Sequence, residues 1–351
     1  MPKLFASDIS YILDVTSDLW DEVRGRRIFI SGGTGFIGSW LLESLLAANE
    51  RFNLNVQVAL LTRSPGKFAS RSPHLVGHPS VHLLGGDVRS FEFPPGPFHY
   101  VIHAATEASA ELAANSPLVM HSTIVEGTSR ILEFARVSCV EKLLFTSSGA
   151  VYGPQPENIT YIEETYLGAP DPSNPRSVYG TGKRAAEQLC SIHCALSRIQ
   201  CKIARCFAFV GPHLPLDSHF AIGNFIRDAL AGGPIKIGGD GTPIRSYLYA
   251  ADLAIWLWTI LFRGKSCRPY NVGSEFCVSI VDLASEVAAA IGPSMPIDIA
   301  RAPLPGATPQ RYAPSTFRSR TELGLRERLS LFDAIQRTAN WYRICQESPR
   351  A

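Results

Sequence analysis

The sequence predicts an α/β protein built on a doubly wound, mostly parallel sheet, with a smaller C-terminal lobe. Short apolar or β-branched runs alternate with longer segments of helical periodicity up to residue 210, which is typical of repeated βαβ units. After about residue 211, Gly and Pro become frequent, which indicates shorter elements and a second lobe. The 351 residues are 46% hydrophobic and 18% charged, so the chain can bury a large core.

The elements and their grouping follow from this alternation. We expect residues 25–210 to form the sheet domain, with elements from about 246–275 returning to it, and residues 211–351 to form mainly the second lobe. Residues 1–24 precede the first strand as an extension, in which "SDLWDEV" predicts a short capped helix packing on the sheet. The predicted strands are 26–30, 56–62, 81–87, 98–105, 142–148 and 201–209, and the predicted helices are 36–48, 117–137 and 178–196.

Composition restricts the partners and the location of the protein. The net charge is +2 with acids and bases interspersed, which argues against nucleic-acid or membrane binding. The sequence shows no signal peptide and no apolar run of about 18 residues, so we expect a cytoplasmic protein. The 8 cysteines include no C-x-x-C pair. Cys190 and Cys194 could share a metal on one helix face, but buried thiols in a reducing cytosol are the favoured interpretation, and no metal site is predicted.

The stretch "SGGTGFIG" at 31–38 is the predicted phosphate-binding turn. Gly32, Gly35 and Gly38 follow a predicted strand and open a predicted helix. The first glycine permits a tight turn, the second lets the backbone approach a pyrophosphate, and the third lets the helix pack closely on the strand. The helix N-terminus then faces the anion. A plain glycine-rich loop is the alternative, but this context favours a Rossmann-type dinucleotide site.

The end of the second predicted strand selects the cofactor. An acidic residue there would bind the adenosine ribose hydroxyls and favour NAD. The chain instead has "LLTRSPGK", in which Arg63 and Lys67 could neutralise a 2′-phosphate, so NADP is favoured. The alternative is a solvated basic turn with NAD held by other groups. Asp87 in "GGDV" would suit the adenine amino group, or it only caps a turn.

Three further residues form a candidate catalytic group. Tyr179 and Lys183 in "SVYGTGKRAAE" lie four residues apart, on one face of a predicted helix. An ammonium and a nicotinamide cation would lower the phenol pKa from about 10, so that Tyr179 could act as acid or base near neutral pH. Ser148 ends a predicted strand at the carboxyl edge of the sheet, where its hydroxyl could bind a substrate carbonyl or alcohol.

The motifs together resemble a known family. "GGTGFIG", "GDV", "VIHAA", "TSSGAVYG", "YGTGK", "GDGTPIRSYLYAADLA" and "YNVGS" are similar to those of extended short-chain dehydrogenases/reductases of the NAD(P)-dependent sugar-nucleotide epimerase/dehydratase type, over residues 25–325. The resemblance implies a nucleotide-sugar substrate and a catalytic triad of Ser148, Tyr179 and Lys183. Ser148 is preferred to Ser147 because it stands four before Tyr152, as the catalytic hydroxyl does in relatives. Further cofactor contacts are expected at Phe36, Ile37, Val88, Ala104 and Ala105.

One departure from the family pattern narrows the expected chemistry. Dehydratases of this family follow the catalytic hydroxyl with Asp-Glu, and the related decarboxylases keep a glutamate. Here the two positions hold Gly149 and Ala150, which cannot transfer protons. The remaining chemistry is reduction of a 4-keto sugar, favoured by the NADP-type loop, or 4-epimerisation with a retained cofactor. A cofactor-sensing protein without catalysis and a reductase of small ketones stay open as alternatives.

The second lobe offers candidate substrate contacts. Arg245 matches an arginine that clamps the nucleotide diphosphate in relatives, and Arg311 is expected to be a second such residue. Asn224 could start a helix near the phosphates. Ala208 stands where the family has an asparagine, which puts one diphosphate contact in doubt. For Arg245, Arg311 and Asn224, an ordinary surface or capping role is the alternative.

Two polar residues near these motifs are expected to be structural. We expect Asp252 to cap a helix and His103 to pack beside the cofactor loop.

The family often dimerises through two helices of each subunit, which here are 117–137 and 178–197. The sequence therefore also predicts a homodimer.

Overall fold

A seven-stranded parallel sheet is the main structural feature. The computed structural model describes residues 4–106, 110–218 and 220–347. Over these residues, the strands are β1 (Arg27–Ser31), β2 (Gln57–Thr62), β3 (Val81–Gly85), β4 (Tyr100–His103), β5 (Lys142–Ser148), β6 (Gln200–Cys206), β7 (Phe209–Val210), β8 (Ile235–Ile237), β9 (Ile244–Ser246), β10 (Leu248–Tyr249), β11 (Pro269–Val272), β12 (Cys277–Ser279), β13 (Ile297–Ile299) and β14 (Arg311–Tyr312). The helices are α1 (Ala6–Val15), α2 (Phe36–Phe52), α3 (Pro65–Arg71), α4 (Pro73–Val76), α5 (Ala110–Asn115), α6 (Pro117–Val137), α7 (Val178–Leu196), α8 (Ala221–Leu230), α9 (Ala250–Arg263), α10 (Ile280–Ile291), α11 (Phe317–Leu323) and α12 (Leu331–Glu347).

The strand order of the main sheet is β11-β6-β5-β4-β1-β2-β3. Every neighbouring pair in it is parallel. This confirms the predicted fold class. The order reverses between β1 and β4, and ligands of such sheets bind in the crevice outside the carboxyl ends at this point.

Most predicted element bounds agree with the structure. The predicted helices 117–137 and 178–196 coincide with α6 and α7. Helix α2 continues to Phe52, four residues past the prediction, and is ended by Asn53 in the left-handed region at φ 50°. The predicted strand 201–209 divides in two: β6 ends at Cys206, and β7 leaves the main sheet to pair with β10.

The N-terminal segment differs from its prediction. The structure has a helix at Ala6–Val15, which the sequence analysis did not predict, and only a 3₁₀ turn at Trp20–Val23 within "SDLWDEV". The helix is tied to distant parts of the chain, because buried Asp8 accepts a hydrogen bond from Tyr249 at 2.7 Å and pairs with Arg337. Trp20 packs edge-on against Trp258 with 5.1 Å between ring centroids.

Asp252 does not cap a helix, contrary to the prediction. It lies inside the first turn of α9 and is buried. Its carboxylate accepts a hydrogen bond from the Tyr11 hydroxyl at 2.6 Å and from the backbone amides of Arg328 and Leu329 at 3.1 and 3.3 Å. Asp252 therefore joins α1, α9 and the segment before α12.

The C-terminal half of the chain contributes three small sheets. One has the order β12-β9-β14, and the others pair β10 with β7 and β13 with β8. In the first, β9 runs antiparallel to β12 and parallel to β14, with Arg245 directly opposite Tyr312. This pairing carries Tyr312 toward the carboxyl edge of the main sheet.

The described ranges contain neither a membrane-spanning helix nor a metal-binding cluster. In residues 4–106, 110–218 and 220–347, no helix has both the length and the apolar character needed to cross a bilayer. Within the same ranges, no group of three or more His, Cys, Asp or Glu side chains could hold a metal ion. Cys190 is buried, and Cys194 is half-buried beside Cys201.

Glu43 of α2 is a buried charge that connects four segments. Its Oε2 accepts the backbone N–H of Leu4 at 2.8 Å, and its Oε1 lies 3.5 and 3.4 Å from Nε2 of His74 and His213. Burial alone would raise the pKa of Glu43, but the interactions with His213, His74 and Leu4 together hold it at about 2, below its ordinary value of 4.5. A carboxyl with a lowered folded-state pKa stabilises the fold above its unfolded pKa and loses that contribution as pH falls.

We therefore predict that Glu43→Gln lowers the free energy of unfolding by about 1–3 kcal/mol at neutral pH. The wild-type protein should lose stability as the pH falls from 4.5 toward 2, and the variant should lose less. Urea titrations at neutral pH and near pH 3 measure both effects. Glu50→Gln is the matched control. Glu50 lies on the same helix as Glu43 and pairs with His78, but its side chain is 72% exposed. Equal stability of the two variants would contradict the role assigned to Glu43.

Candidate active site

The glycine-rich turn follows β1 and lies against the chain that leaves β4. Gly32 has φ +74°, and a methyl group placed on it would lie 2.4 Å from the carbonyl carbon of Ala104. A methyl group on Gly38 would lie 2.3 Å from the Gly32 oxygen, so the close packing at this glycine is with the turn, not the strand. At Gly35 the nearest atom would be 3.4 Å away. The turn is therefore closed around Gly32 and Gly38 but open at Gly35, the N-cap of α2, which fits a pyrophosphate at the helix N-terminus.

The other predicted cofactor residues surround this turn. Phe36, Ile37, Ala104 and Ala105 are half-buried. Val88 is buried, and its side chain packs against Gly127 of α6. A methyl group placed on Gly127 would lie only 2.8 Å from a Val88 methyl carbon. Val88 can therefore offer a ligand its backbone, because its side chain is already packed.

Basic side chains border the cofactor turn at the ends of β2 and β3. Arg63 and Lys67 are exposed beside the start of α3. The carboxylate of Asp87 accepts hydrogen bonds from Nε and Nη2 of Arg89, both at 2.8 Å, and these bonds hold the pKa of Asp87 at about 2. Arg71 at the end of α3 donates to the carbonyl oxygen of Thr34 in the turn. The sequence analysis missed Arg71 and Arg89, although Arg89 follows Asp87 by only two residues.

Lys183 is held at the end of β5. Its Nζ donates to the carbonyl oxygen of Thr146 at 2.7 Å and to the hydroxyl of Thr106 at 3.2 Å. It lies 5.9 Å from the centre of the Tyr179 ring. Burial lowers the pKa of Lys183 to about 8. The ammonium is therefore fixed beside the phenol one turn away, as the four-residue spacing predicted.

Ser148 and Tyr179 meet at the same edge. Ser148 ends β5, and its hydroxyl accepts the backbone N–H of Ala150 at 3.1 Å. The hydroxyl also interacts with the Tyr179 phenol and acts to lower its pKa. Burial raises the pKa of Tyr179 to about 12, and the interaction with Ser148 lowers it only in part. In the protein alone the phenol therefore keeps its proton. The sequence analysis predicted a lowered pKa with a nicotinamide cation bound, and that stays a prediction.

Ser147 points to a different set of partners. Its hydroxyl donates to Glu187 Oε1 at 2.5 Å, and the same carboxylate pairs with Arg205 at 2.7 Å. Adjacent residues of a strand face opposite sides of the sheet. This geometry favours Ser148 over Ser147 as the catalytic hydroxyl.

His103 lies beneath the cofactor turn, where the sequence analysis expected it to pack. Its Nδ1 is 2.8 Å from the Ser31 hydroxyl, and its Nε2 is 3.1 Å from the Thr128 hydroxyl. Burial and the charge of Lys183 lower the pKa of His103 to about 3. With both nitrogens bonded and the ring neutral, His103 supports the turn.

Tyr312 of β14 is a site residue that the sequence analysis missed. A methyl group placed on Gly149 would lie 2.6 Å from the Tyr312 hydroxyl oxygen and 2.7 Å from the Phe207 ring. The rings of Tyr312 and Phe207 pack with their centroids 4.7 Å apart. These two aromatic side chains therefore fill the space that a side chain at position 149 would need. No local pattern marks Tyr312, because a two-residue strand brings it here.

The predicted substrate residues are not all brought together. Arg245 is half-buried on the same face of the small sheet as Tyr312, and its guanidinium donates to the Ile244 carbonyl at 2.8 Å. Arg311 precedes Tyr312, so it faces the other side, where it interacts with Cys277. Asn224 lies in the first turn of α8, 3.4 Å from the guanidinium of Arg227. Only Arg245 of these three is thus positioned with the catalytic group, and all three roles stay predictions.

Comparison with known proteins identifies the family. The family model described as "NAD dependent epimerase/dehydratase family" matches residues 28–273. The chain belongs to the NAD-dependent epimerase/dehydratase family. This confirms the resemblance drawn from the motifs, and the protein is an enzyme of this family.

Individual relatives show the range of chemistry within the family. The chain is 31% identical over 330 residues to UDP-glucuronic acid decarboxylase 3 of Arabidopsis thaliana, covering 92% of this chain and 91% of that one. It is 33% identical over 277 residues to UDP-glucuronic acid decarboxylase 5 of the same plant, covering 77% and 76%. These relatives are named for decarboxylation, so the reductase activity expected from the sequence stays a prediction.

Solved structures of the family share the fold. A UDP-glucose 4-epimerase of Thermotoga maritima has a TM-score of 0.77 at 19% identity, covering 92% of this chain and 100% of that one. A dTDP-glucose 4,6-dehydratase of Streptomyces venezuelae, solved with NAD bound, has a TM-score of 0.77 at 23% identity, covering 93% and 100%. At these identities the likeness shows the fold alone, and a fold does not determine the reaction.

The two serines give a direct test of the catalytic group. We predict that Ser148→Ala lowers kcat about 10²–10³-fold, because a hydrogen bond to the reacting oxygen is lost. Ser147→Ala is the matched control and should keep kcat within a few-fold while lowering the free energy of unfolding, since it releases Glu187. Steady-state turnover of a sugar nucleotide and urea titration of both variants measure these effects. A larger loss of kcat in Ser147→Ala would reverse the assignment.

Proposed function

We propose that this enzyme reduces a 4-keto sugar nucleotide at C4, with NADPH as the reductant. The observation that carries the proposal is the composition of the site around Ser148. The phenols of Tyr179 and Tyr312 and the ammonium of Lys183 lie near it, while aromatic rings fill the space beside Gly149. Such a site can protonate a ketone oxygen, and among residues 4–106, 110–218 and 220–347 no carboxylate is placed beside Ser148 to remove a proton from carbon.

The residues divide the work of reduction among them. Bound NADPH supplies the hydride that reduces the C4 carbonyl carbon. Tyr179, protonated because of its burial, donates its proton to the carbonyl oxygen and becomes a phenolate. The Ser148 hydroxyl donates a hydrogen bond to the same oxygen as negative charge develops there. Lys183, fixed by the Thr146 carbonyl, stabilises the phenolate.

The missing carboxylates separate this proposal from the activities of the named relatives. Ala150 occupies the second of the two positions that hold Asp-Glu in dehydratases, and position 149 has no room for a side chain. Glu187, whose carboxylate reaches the end of β5, is engaged with Ser147 and Arg205. Dehydration and decarboxylation by a carboxylate-assisted route are therefore disfavoured.

The cofactor part of the proposal rests on charge. Arg63 and Lys67 lie on the surface directly after β2, and Arg71 follows on the same helix. Asp87 is the acidic residue at the next strand end, and Arg89 pairs with it. The ends of β2 and β3, which would hold the adenosine ribose, are thus bordered by basic side chains. This favours a cofactor that carries a 2′-phosphate, which is NADPH.

The substrate class follows from Arg245 and from the relatives. A half-buried guanidinium on the face of Tyr312 suits a diphosphate, which accepts paired N–H donors. The named relatives act on UDP-linked or dTDP-linked sugars by their names. We propose a nucleoside diphosphate sugar, with a UDP-sugar as the first to test.

A contact at the cofactor turn favours a second candidate, 4-epimerisation with a retained cofactor. The bond from Arg71 to Thr34 links α3 to the glycine-rich turn. Since α3 follows the strand end that binds the adenosine ribose in this fold, the link would have to open for the cofactor to exchange. An epimerase needs no exchange, because the hydride returns to the same sugar.

The two candidates are separated by the fate of NADPH. We predict that the purified enzyme oxidises NADPH in a 1:1 ratio with an added 4-keto-6-deoxy UDP-sugar, and uses NADH at least about 10-fold less efficiently. Absorbance of the reduced cofactor measures both rates. Parallel reactions contain NAD(P)⁺ with UDP-glucose or with UDP-glucuronic acid. Conversion of UDP-glucose to its 4-epimer, or release of CO₂ from UDP-glucuronic acid, with NADPH untouched in the first reaction, would contradict the reductase proposal.

Substitution of Arg63 tests the choice between NADPH and NADH. Arg63→Ala should raise the KM for NADPH and leave the KM for NADH unchanged, because only NADPH carries the 2′-phosphate. Lys265→Ala removes an exposed cation elsewhere and should change neither value. Equal effects of Arg63→Ala on the two cofactors would argue that Arg63 is a solvated surface residue.

Homodimerisation through α6 and α7 is also part of the proposal. Both helices expose large apolar side chains: Leu118 (84%), Val119 (46%) and Val137 (50%) on α6, and Ile192 (45%) and Leu196 (82%) on α7. We predict twice the chain mass by light scattering, and a shift toward monomer in Leu196→Glu. Leu304→Glu is the control, since Leu304 is 74% exposed outside these helices. A wild-type monomer would contradict this part.

A further inference from the structure

We propose that Cys194 and Cys267 form a redox-sensitive thiol pair. Hydrogen peroxide oxidises Cys194, and Cys267 then completes a disulfide that joins the end of α7 to the chain before β11. The pair lies near the amino ends of β6 and β11, whereas Ser148 lies at the carboxyl end of β5. This modification site does not depend on the reaction that the enzyme catalyses.

Four cysteines meet beneath the last turns of α7. Strands β6 and β11 are parallel neighbours in the main sheet. The chain before β11 continues this pairing, because the backbone N–H of Cys267 donates to the carbonyl oxygen of Cys201 at 2.7 Å. Cys190 and Cys194 lie one turn apart on α7 and pack in the same apolar cluster as Cys201 and Cys267. The fold therefore brings two thiols of a helix against two thiols of the sheet.

The Cys267 thiol lies against the turn of α7 that contains Cys194. Its Sγ is 3.9 Å from the carbonyl oxygen of Cys190, which is the oxygen that accepts the Cys194 backbone N–H in a regular helix. The Ser266 hydroxyl lies 3.4 Å from the Cys194 sulfur and 4.0 Å from the Cys267 sulfur. The two thiols are thus neighbours, as a disulfide requires.

Cys194 has the surroundings of a reactive thiol. Its sulfur accepts the backbone N–H of Cys201 at 3.3 Å. Cys194 lies in the last turn of α7, where the helix dipole disfavours an anion, so a thiolate depends on such donors. The interaction with the Cys201 thiol, together with those of Cys267 and Ser266, outweighs burial and lowers the pKa of Cys194 to about 5. The thiolate is the nucleophile, and Cys194 is half-buried whereas Cys190 is buried, so peroxide meets Cys194 first.

Cys267 is the better placed of the two thiols that could resolve an oxidised Cys194. Cys201 is buried inside β6, whereas Cys267 is half-buried and precedes β11. Burial and the interaction with Cys194 raise the pKa of Cys267 to about 12, so it keeps its proton and does not compete for peroxide. Oxidation of Cys194 removes the charge of its thiolate, which makes ionisation of Cys267 easier.

The two steps balance with hydrogen peroxide as the oxidant. The Cys194 thiolate attacks one peroxide oxygen, the O–O bond breaks, and the sulfur becomes a sulfenic acid. The hydroxide that leaves takes up the proton released when Cys194 ionised. The Cys267 sulfur then attacks the Cys194 sulfur, the S–O bond breaks, and water leaves with the Cys267 proton. The two thiols lose two electrons, and the peroxide gains them and forms two waters.

Peptide mapping of the full chain tests the pairing. The enzyme is treated with a small excess of hydrogen peroxide, alkylated after unfolding, and analysed by mass spectrometry. We expect the loss of two thiols and one disulfide between the peptides that carry Cys194 and Cys267. In Cys267→Ser, Cys194 should stop at the sulfenic acid, which dimedone traps. Cys139→Ser is the control and should still form the disulfide, since Cys139 is exposed after α6.

The outcomes that would overturn the proposal are distinct from these. They are a wild-type enzyme without a disulfide, a disulfide between Cys194 and Cys201, and a loss of thiols that a dithiol reductant does not reverse.

The reactivity of Cys194 is measured without any oxidant. We expect iodoacetamide at pH 7 to alkylate Cys194 of the folded enzyme about 10-fold faster than Cys139, because Cys194 is the thiolate. The same peptides report both rates. Alkylation of Cys194 at or below the rate of Cys139 would overturn the proposal.

Discussion

The close approach of the chain after β1 to the chain after β4 is the constraint on which the site depends. At Gly32 a methyl group would lie 2.4 Å from the carbonyl carbon of Ala104, so only hydrogen fits there. The contact lies where the strand order of the sheet reverses, and it holds the N-terminus of α2 open at Gly35. The next strand, β5, brings Ser148 to the same edge, and α7 packs across β5 and β6 with Tyr179 and Lys183 in its first two turns. One backbone contact thus fixes the cofactor turn and the catalytic group relative to each other.

The chemistry of the site follows from which groups are available beside Ser148. Phenols and an ammonium lie near it, while the carboxylate of Glu187 is engaged with Ser147 and Arg205. The relatives include a decarboxylase, a dehydratase and an epimerase by their names, and the family resemblance implies that the side chains after the catalytic hydroxyl differ among these reactions. Here the first of those positions is glycine, and an aromatic pair from Phe207 and Tyr312 takes its space. Among the described residues, the phenols are thus the groups near Ser148 that could transfer a proton, which would suit a ketone or an alcohol.

Local patterns in the sequence predicted what local interactions determine. The glycine turn, the bounds of α6 and α7, and the pairing of Tyr179 with Lys183 follow from short-range spacing. Helix α1 was missed because its stabilising partners, Tyr249 and Arg337, lie 241 and 329 residues from Asp8 along the chain. Tyr312 was missed for the same reason: a strand of two residues carries it, and its neighbours at the site come from β5, β6 and α7. The rise that burial gives the pKa of Tyr179 in the protein alone could not be predicted, because burial does not show in a sequence motif.

The most direct test of the central claim follows the hydride itself. The enzyme is given NADPH carrying deuterium at C4 of the nicotinamide, on each face in turn, together with a 4-keto-6-deoxy UDP-sugar. Mass spectrometry and proton NMR of the product locate the label. The account predicts deuterium at C4 of the sugar from one face of the cofactor and none from the other. A product without deuterium at C4, or a sugar that has lost carbon or water instead, would contradict it.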